Sequence, residues 1–298
     1  MAQRESIYAG LISSKVNVRF LLTLLAGVCS LCPLAWPAAN AGVSGSELPK
    51  IVSMNQCADE LVLALADPEQ VLSVSYFVKD PNISWDADKA RNIPANSGRA
   101  EEIAAYQPDL VFAGDFSSRS TVGSLQALGL EVVELRHPNS LADVYDLIER
   151  VAKAVGHKDR GAELITRLQS SLAARPSGTR KMKTAIVYQP NGFTVGEDSL
   201  INDLLLAAGL KNAVDRDVAS YAAYPMEKLI AEPPDILILD PQVAESPSLA
   251  HEVLRHPALE RTFSSTQTIE VPSQAWACGT HHVARAVQIL REGAGHDR

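Results

Sequence analysis

The chain has 298 residues, of which 46% are hydrophobic and 21% are charged. That balance excludes a wholly disordered chain and is enough for one large domain or two small ones with a buried core. Acidic residues outnumber basic ones by 35 to 27, so the net charge is −8. Because the basic residues form no block that would neutralise phosphates, we expect no nucleic-acid partner.

The first 41 residues have the three parts of a secretory signal peptide. A positively charged start is followed by an apolar run over residues 20–36 and by the small residues Ala39-Asn40-Ala41. We therefore predict cleavage near Ala41 and a mature protein in the periplasm. An uncleaved membrane anchor is the alternative, although Pro33 interrupts a run that is short for a bilayer span.

The four cysteines divide between this segment and the mature chain. Cys29 and Cys32 leave with the signal peptide, and attachment of a lipid to either is disfavoured because a bulky residue precedes each. The remaining pair, Cys57 and Cys278, would lie in an oxidising compartment, where one disulfide is expected. Sequence alone does not place the two within bonding distance.

Short apolar runs alternate with amphipathic stretches from Lys50 onward. The predicted strands are residues 50–54, 71–75, 110–113 and 132–135, and the predicted helices are residues 59–66 and 121–128. Continuous apolar strands separated by helices indicate a parallel sheet in an α/β lobe.

Two helical patterns follow, over residues 140–155 and 158–174. The second would span about 25 Å at 1.5 Å per residue, long enough to connect two lobes. An ordinary helix packed within one domain is the alternative. We predict an N-terminal lobe at 42–157, a connecting helix at 158–175 and a C-terminal lobe at 176–298.

The second half repeats the pattern of the first. Its predicted strands are residues 184–188, 236–239 and 268–271, and its predicted helices are residues 200–208 and 281–290. Residues 101–111 also match residues 227–237: each has a leading Glu, a short helix, Pro-Asp and an apolar strand. The predicted fold class is therefore α/β, with two lobes of mostly parallel sheet joined by one long helix.

Signatures of the common catalytic sites are missing from the mature sequence, including G-x-S-x-G, H-E-x-x-H and C-x-x-C. The densest cluster of reactive groups runs from Trp276 to His282 and includes Cys278. Neighbouring histidines on a helix diverge by about 100°, so only one of His281 and His282 is expected to approach Cys278. We therefore predict no metal site and no catalytic residues, and interpret the segment as a loop lining a cleft.

Aromatic residues gather where predicted strands end. They are Tyr76, Phe77, Tyr188, Phe193, Tyr221 and Tyr224. In open α/β lobes, ligands bind beyond the carboxyl ends of the strands, and aromatic rings offer a flat ligand a large contact area. We predict that these residues, with Trp276 and His281, contact a ligand. The alternative is that about half of the rings only cap the cores.

Several segments resemble the periplasmic substrate-binding proteins of ABC importers for iron complexes and vitamin B12. They are residues 51–55, 59–61, 100–111, 188–196, 225–229 and 276–279. The resemblance implies two α/β lobes with the ligand between them. It also implies that one acidic residue on each lobe, Glu101 and Glu227 here, docks onto arginines of the membrane permease. Thr280-His281-His282 departs from the small residues that such proteins often have there.

The sequence therefore predicts a monomeric binding protein without a cofactor. It would capture a metal chelate, such as cobalamin, a ferric siderophore or haem, and deliver it to an ABC importer. The alternatives are a protein that binds a bare metal ion, and a secreted metal- or thiol-dependent enzyme that uses Cys278 with His281 or His282.

Overall fold

Two parallel β-sheets organise the structure, one built by each half of the chain. The computed structural model describes residues 48–115, 117–173, 182–214, 218, 220–241, 257, 261, 263–264 and 266–295. The predicted signal peptide and the last two residues of the predicted connecting helix, 174–175, lie outside these ranges. No helix within them combines the length and apolar character needed to cross a bilayer.

The first sheet has five parallel strands in the order β3-β2-β1-β4-β5. Its strands are β1 (Ile51–Ser53), β2 (Val71–Ser75), β3 (Ala95–Asn96), β4 (Leu110–Gly114) and β5 (Glu131–Leu135). Buried Val, Ile and Phe side chains fill β1 and β4, as expected for central strands covered on both faces.

The second sheet has four parallel strands in the order β11-β10-β6-β8, and a small antiparallel ribbon, β7-β9, follows the end of β6 in the chain. Its strands are β6 (Lys183–Val187), β8 (Leu210–Asn212), β10 (Ile236–Leu239) and β11 (Gln267–Glu270). The ribbon consists of β7 (Phe193–Thr194) and β9 (Ala222–Ala223). The predicted fold class of two parallel α/β units is confirmed.

Helices connect the strands and cover the sheets. They are α1 (Gln56–Leu65), α2 (Ala87–Ala90), α3 (Ala100–Ala105), α4 (Arg119–Ala127), α5 (Leu141–Ala154), α6 (Lys158–Ala173), α7 (Leu200–Ala207), α8 (Met226–Ala231) and α9 (Val283–Ala294). Helix α1 begins three residues before its predicted start because the Asn55 side chain accepts hydrogen bonds from the amides of Cys57 and Ala58.

The repeated Pro-Asp segment has the same structural role in both halves. The Asp109 carboxylate accepts a hydrogen bond from the Lys50 amide at 2.8 Å, just before β1. The Asp235 carboxylate accepts one from the Thr184 amide at 2.7 Å, at the start of β6. Each aspartate thus joins the beginning of a sheet's first strand to the strand beside it, which supports the internal duplication inferred from the sequence.

One continuous apolar core includes side chains from both sheets. Helix α6, which separates the two sheets in the chain, contributes Leu164, Leu168 and Leu172 to that core. Near the end of α9, the Arg291 guanidinium donates to backbone carbonyl oxygens of Leu172 and Ala207 at 2.8 and 2.9 Å. Helix α6 is therefore packed against the rest of the structure along one face.

Candidate functional site

Two exposed aromatic pairs follow the carboxyl ends of parallel strands, one pair in each half of the chain. Tyr76 and Phe77 come directly after β2; they are 54% and 42% exposed, with ring centroids 4.0 Å apart. These are large apolar surfaces held at the edge where α/β sheets bind ligands.

The second pair lies at the β7-β9 ribbon: Phe193 begins β7, the next strand after β6 in the chain, and Tyr221 immediately precedes β9. Phe193 and Tyr221 stack with their ring centroids 4.8 Å apart and their planes 5° from parallel. Tyr221 is 55% exposed and Phe193 is half-buried. Stacking holds the two rings in parallel planes and fixes their orientation, and the Tyr221 ring presents an apolar surface to solvent.

Three other residues that the sequence predicts to contact the ligand are buried. Tyr188, Tyr224 and Trp276 are each less than a tenth exposed and pack in the cores. The Tyr188 hydroxyl donates to the Tyr224 carbonyl oxygen at 3.4 Å. A Cβ at Gly192, whose φ is +75°, would lie 2.9 Å from that hydroxyl. Tyr188 and Tyr224 thus support the ribbon that carries the second pair.

Cys57 and Cys278 form a disulfide that joins the first turn of α1 to the segment before α9. The thiol enzyme alternative therefore loses its nucleophile, because the Cys278 sulfur is already bonded. The next residue, Gly279, has φ +56°, and a Cβ there would lie 2.3 Å from Pro138. The bridge is thus followed by a closely packed turn.

The segment after the disulfide makes two further contacts with the first half of the chain. The Thr280 hydroxyl donates to Glu60 Oε2 at 2.7 Å, and both residues are buried. His282 Nε2 forms a hydrogen bond with Asp86 Oδ2 at 2.8 Å. Residues 278–282 are therefore fixed against the first half by one covalent and two polar connections.

The two histidine rings lie close together, whereas the helical divergence assumed in the sequence analysis would separate them and leave only one of them near Cys278. Helix α9 begins at Val283, so His281 and His282 lie in the preceding turn, where helical divergence does not apply. Their ring centroids are 4.1 Å apart. Ligand-capable atoms of both rings and of the Asp86 carboxylate all lie within 4.8 Å of one another. Cys278, which the sequence placed next to the histidines, is bonded to Cys57 and does not belong to this group. Its third member is Asp86.

Charge and burial fix the protonation of this cluster. Burial alone would raise the pKa of Asp86, but hydrogen bonds from His282 and Lys89 lower it to about 2. The carboxylate is therefore ionised at neutral pH. Burial, reinforced by the charge of His282, lowers the pKa of His281 to about 3, so its ring is neutral. The Trp85 ring meets the His282 ring edge-on, and the Arg285 guanidinium lies over Trp85, 4.3 Å from its centroid.

Sequence reasoning missed Trp85 and Asp86. They lie between β2 and β3 in a segment without helical or strand periodicity, and Asp86 is 196 residues from His282. The local sequence indicates a site there only through Trp85 and the small polar residues on either side of it, Ser84 and Asp86. No spacing rule connects that signal to the histidines.

Two adjacent acids, Asp59 and Glu60, are buried in α1. Burial raises the pKa of Asp59 from 3.8 to about 7, despite hydrogen bonds from Ser53 and Ser75 that lower it. Burial also raises the pKa of Glu60 to about 7, against the lowering effect of Thr280. Both acids therefore hold a proton more tightly in the folded protein than in the unfolded chain.

Asp59→Asn is expected to gain stability relative to the parent as the pH rises. The contribution of protonated Asp59 is fully present below its unfolded pKa near 4 and is lost as the pH rises through about 7. Since one pKa unit corresponds to about 1.4 kcal/mol, the difference between the two proteins should change by a few kcal/mol between about pH 4.5 and pH 8. Urea unfolding at both pH values measures it.

The matched control for this change is Asp146→Asn, at an exposed position of α5. Its difference from the parent should stay nearly constant over the same pH range. A pH-independent difference for Asp59→Asn would contradict the prediction.

The two predicted docking residues occupy equivalent exposed positions. Glu101 is the second residue of α3, which precedes the central strand β4, and Glu227 is the second residue of α8, which precedes the central strand β10. The neighbour of Glu101, Glu102, instead accepts hydrogen bonds from the Ser97 amide and hydroxyl at 2.9 and 2.7 Å.

Comparison with known proteins finds relatives in sequence and in fold. A cobalamin-binding protein of Halobacterium salinarum is 25% identical over 220 residues, which cover 70% of this chain and 59% of that protein. The match thus spans less than two thirds of that relative's length.

Solved structures share the fold. A periplasmic haem-binding protein of Vibrio cholerae aligns with a TM-score of 0.68 at 18% identity, over 81% of this chain and 97% of its own. An Fe³⁺-hydroxamate transport protein of Saccharomonospora viridis aligns with a TM-score of 0.62 at 23% identity, over 83% and 94% of the two chains. These identities support a common fold.

The match to a protein family covers more residues than the short segments that carry the resemblance in the sequence. The model of the family described as periplasmic binding protein matches residues 51–269, from β1 into β11. It therefore includes most of both sheets and both aromatic pairs. This chain belongs to the periplasmic binding protein family.

Proposed function

We propose that the protein captures a metal chelate between its two α/β lobes and delivers it to an ABC importer. The observation that carries the proposal is the pair of exposed aromatic surfaces, Tyr76 with Phe77 and Phe193 with Tyr221. Each surface follows the carboxyl end of a strand in a different sheet. The relatives named for cobalamin, haem and Fe³⁺-hydroxamate support the same class of ligand.

Flat or disc-shaped chelates have large apolar faces that suit these rings. Aromatic side chains bury a large area at a small cost in conformational entropy, because only two torsions are fixed. The two histidines are partly exposed, and a hydrogen bond to Asp86 holds His282 in place. We place the ligand against the four exposed or half-buried rings and assign no contact to the buried Tyr188, Tyr224 and Trp276.

The proposal also concerns the arrangement of the chain. We assign residues 42–157 and 176–298 to the lobes and residues 158–175 to the connecting helix; the strands of each sheet lie within the corresponding lobe. We place the mature protein in the periplasm as a monomer, after removal of residues 1–41. Glu101 and Glu227 would dock onto the permease, one from each lobe.

Titration of the purified protein with cobalamin, haem and a ferric hydroxamate tests the ligand class. We expect at least one of them to quench intrinsic fluorescence saturably. The double variants Tyr76→Ala/Phe77→Ala and Phe193→Ala/Tyr221→Ala should each raise the Kd at least about tenfold, since interface aromatics commonly contribute more than 1 kcal/mol apiece.

Leu128→Ala is the matched control, because Leu128 is a large exposed apolar residue at the end of α4, outside both aromatic pairs. It should leave the Kd unchanged. A flat titration with all three chelates would refute the ligand class. An unchanged Kd in both double variants would refute the location.

A further inference from the structure

Asp86, His281 and His282 form a compact group of potential metal ligands. Their ligand-capable atoms lie within 4.8 Å of one another, and His282 Nε2 is 2.8 Å from Asp86 Oδ2. Four ligands around a zinc ion at 2.0–2.1 Å would be about 3.3 Å apart. Small side-chain rotations would therefore bring all three groups onto one ion.

His281 has an unused donor or acceptor in this group. Its Nδ1 is buried and has no hydrogen-bond partner among the residues that the structure describes. Buried polar atoms in native proteins are almost always paired, so an exception calls for a physical explanation. A bound cation at this position would provide one.

The surroundings hold the ligands in place. The Lys89 ammonium contacts Asp86 Oδ1 at 2.7 Å and leaves Oδ2 directed at His282. The Trp85 ring packs edge-on against His282, with centroids 5.4 Å apart. Such secondary contacts orient ligands in metal sites. Lys89 and Arg285 add positive charge nearby, which the Asp86 carboxylate offsets in part.

We propose that Asp86, His281 and His282 bind a divalent first-row transition metal ion of the zinc class. Two imidazoles and one carboxylate leave coordination positions open for water or an external ligand, as in catalytic zinc and non-haem iron sites. This site goes beyond chelate capture, which requires no ion held by the protein. Because Asp86 comes from the first half of the chain and the histidines from the second, the ion would join the two halves.

Titration of the EDTA-treated, disulfide-bonded protein with Co²⁺ and Zn²⁺ alone tests the site. We expect one equivalent of Co²⁺ to produce visible absorption bands, and Zn²⁺ to displace it and raise the melting temperature by linkage. His281→Ala and Asp86→Asn should each weaken Zn²⁺ binding at least tenfold. His281→Ala removes no hydrogen bond made by Nδ1, so it should melt near the parent temperature in EDTA.

His157→Ala is the matched control, because His157 also lies near a carboxylate, 3.2 Å from Asp67, but belongs to no cluster of three potential metal ligands in the part of the chain that the structure describes. It should bind Zn²⁺ as the parent does. The proposal is overturned if the parent shows no saturable binding of either ion, or if His281→Ala binds as tightly as His157→Ala. Chelate binding is measured separately, in EDTA, where no free divalent ion is present. Failure of the metal site would therefore leave the test of chelate capture unaffected.

Discussion

Reversing Glu101 and Glu227 together to lysine is expected to abolish uptake of the ligand while leaving its affinity for the purified protein unchanged. Both carboxylates are exposed at the second position of equivalent helices, α3 and α8, each of which precedes a central strand. Two equivalent positions on two similar lobes would allow one protein to contact both halves of a permease at once.

The size of this effect follows from charge pairing. A carboxylate can pair with an arginine through two parallel hydrogen bonds, and losing one partner of such a pair commonly costs about 2–5 kcal/mol. Reversal also adds repulsion between like charges. Two such losses would reduce docking by about a thousandfold or more, which transport assays in whole cells or in permease vesicles would register as loss of uptake.

Glu149→Lys with Glu292→Lys is the matched control for this double reversal. It makes the same change in net charge at exposed positions of α5 and α9. Uptake should persist in this variant. Normal uptake in Glu101→Lys/Glu227→Lys would show that these residues do not dock, and a weakened ligand affinity would show that they act at the binding site instead.

The sequence predicted the sheets well because their signals are local. Continuous apolar runs in β4 and β10 are buried on both faces, and the matching Glu and Pro-Asp positions before them indicated that the two halves share one architecture. Helix ends were less accurate where a side chain determines the start, as Asn55 does for α1. The start of α1 is set by the side chain at one position, Asn55, and hydrophobic periodicity carries no information about such a cap.

The site was predicted less completely because it depends on distant contacts. Tyr188 and Phe193 are both aromatic and lie five positions apart, yet only the first is buried beneath the β7-β9 ribbon. Composition does not distinguish them. The convergence of His281 with His282 likewise depends on a turn that lies just before α9, and on an aspartate supplied by the other half of the chain.

Removing the disulfide with Cys57→Ala/Cys278→Ala is expected to lower the free energy of unfolding by roughly 5 kcal/mol, as chain-entropy estimates give for a loop this long. The bridged cysteines are 221 residues apart, so in the unfolded state the bond closes a loop of about three quarters of the 298-residue chain. A loss of that size corresponds to a fall in melting temperature of roughly 10–20 °C for a protein of this length.

Equilibrium unfolding in urea should show the loss in the double variant and in the reduced parent alike, because both lack the same covalent restraint. The single variants, measured with their free thiol blocked, should match the double variant. After removal of the bridge, the Thr280 bond to Glu60 and the His282 bond to Asp86 remain as polar contacts between the segment before α9 and the first half of the chain. Each is worth about 1–3 kcal/mol, so they could not replace a restraint on the unfolded state. A double variant that unfolds at the same urea concentration as the oxidised parent would therefore mean that the bridge does not form in the exported protein.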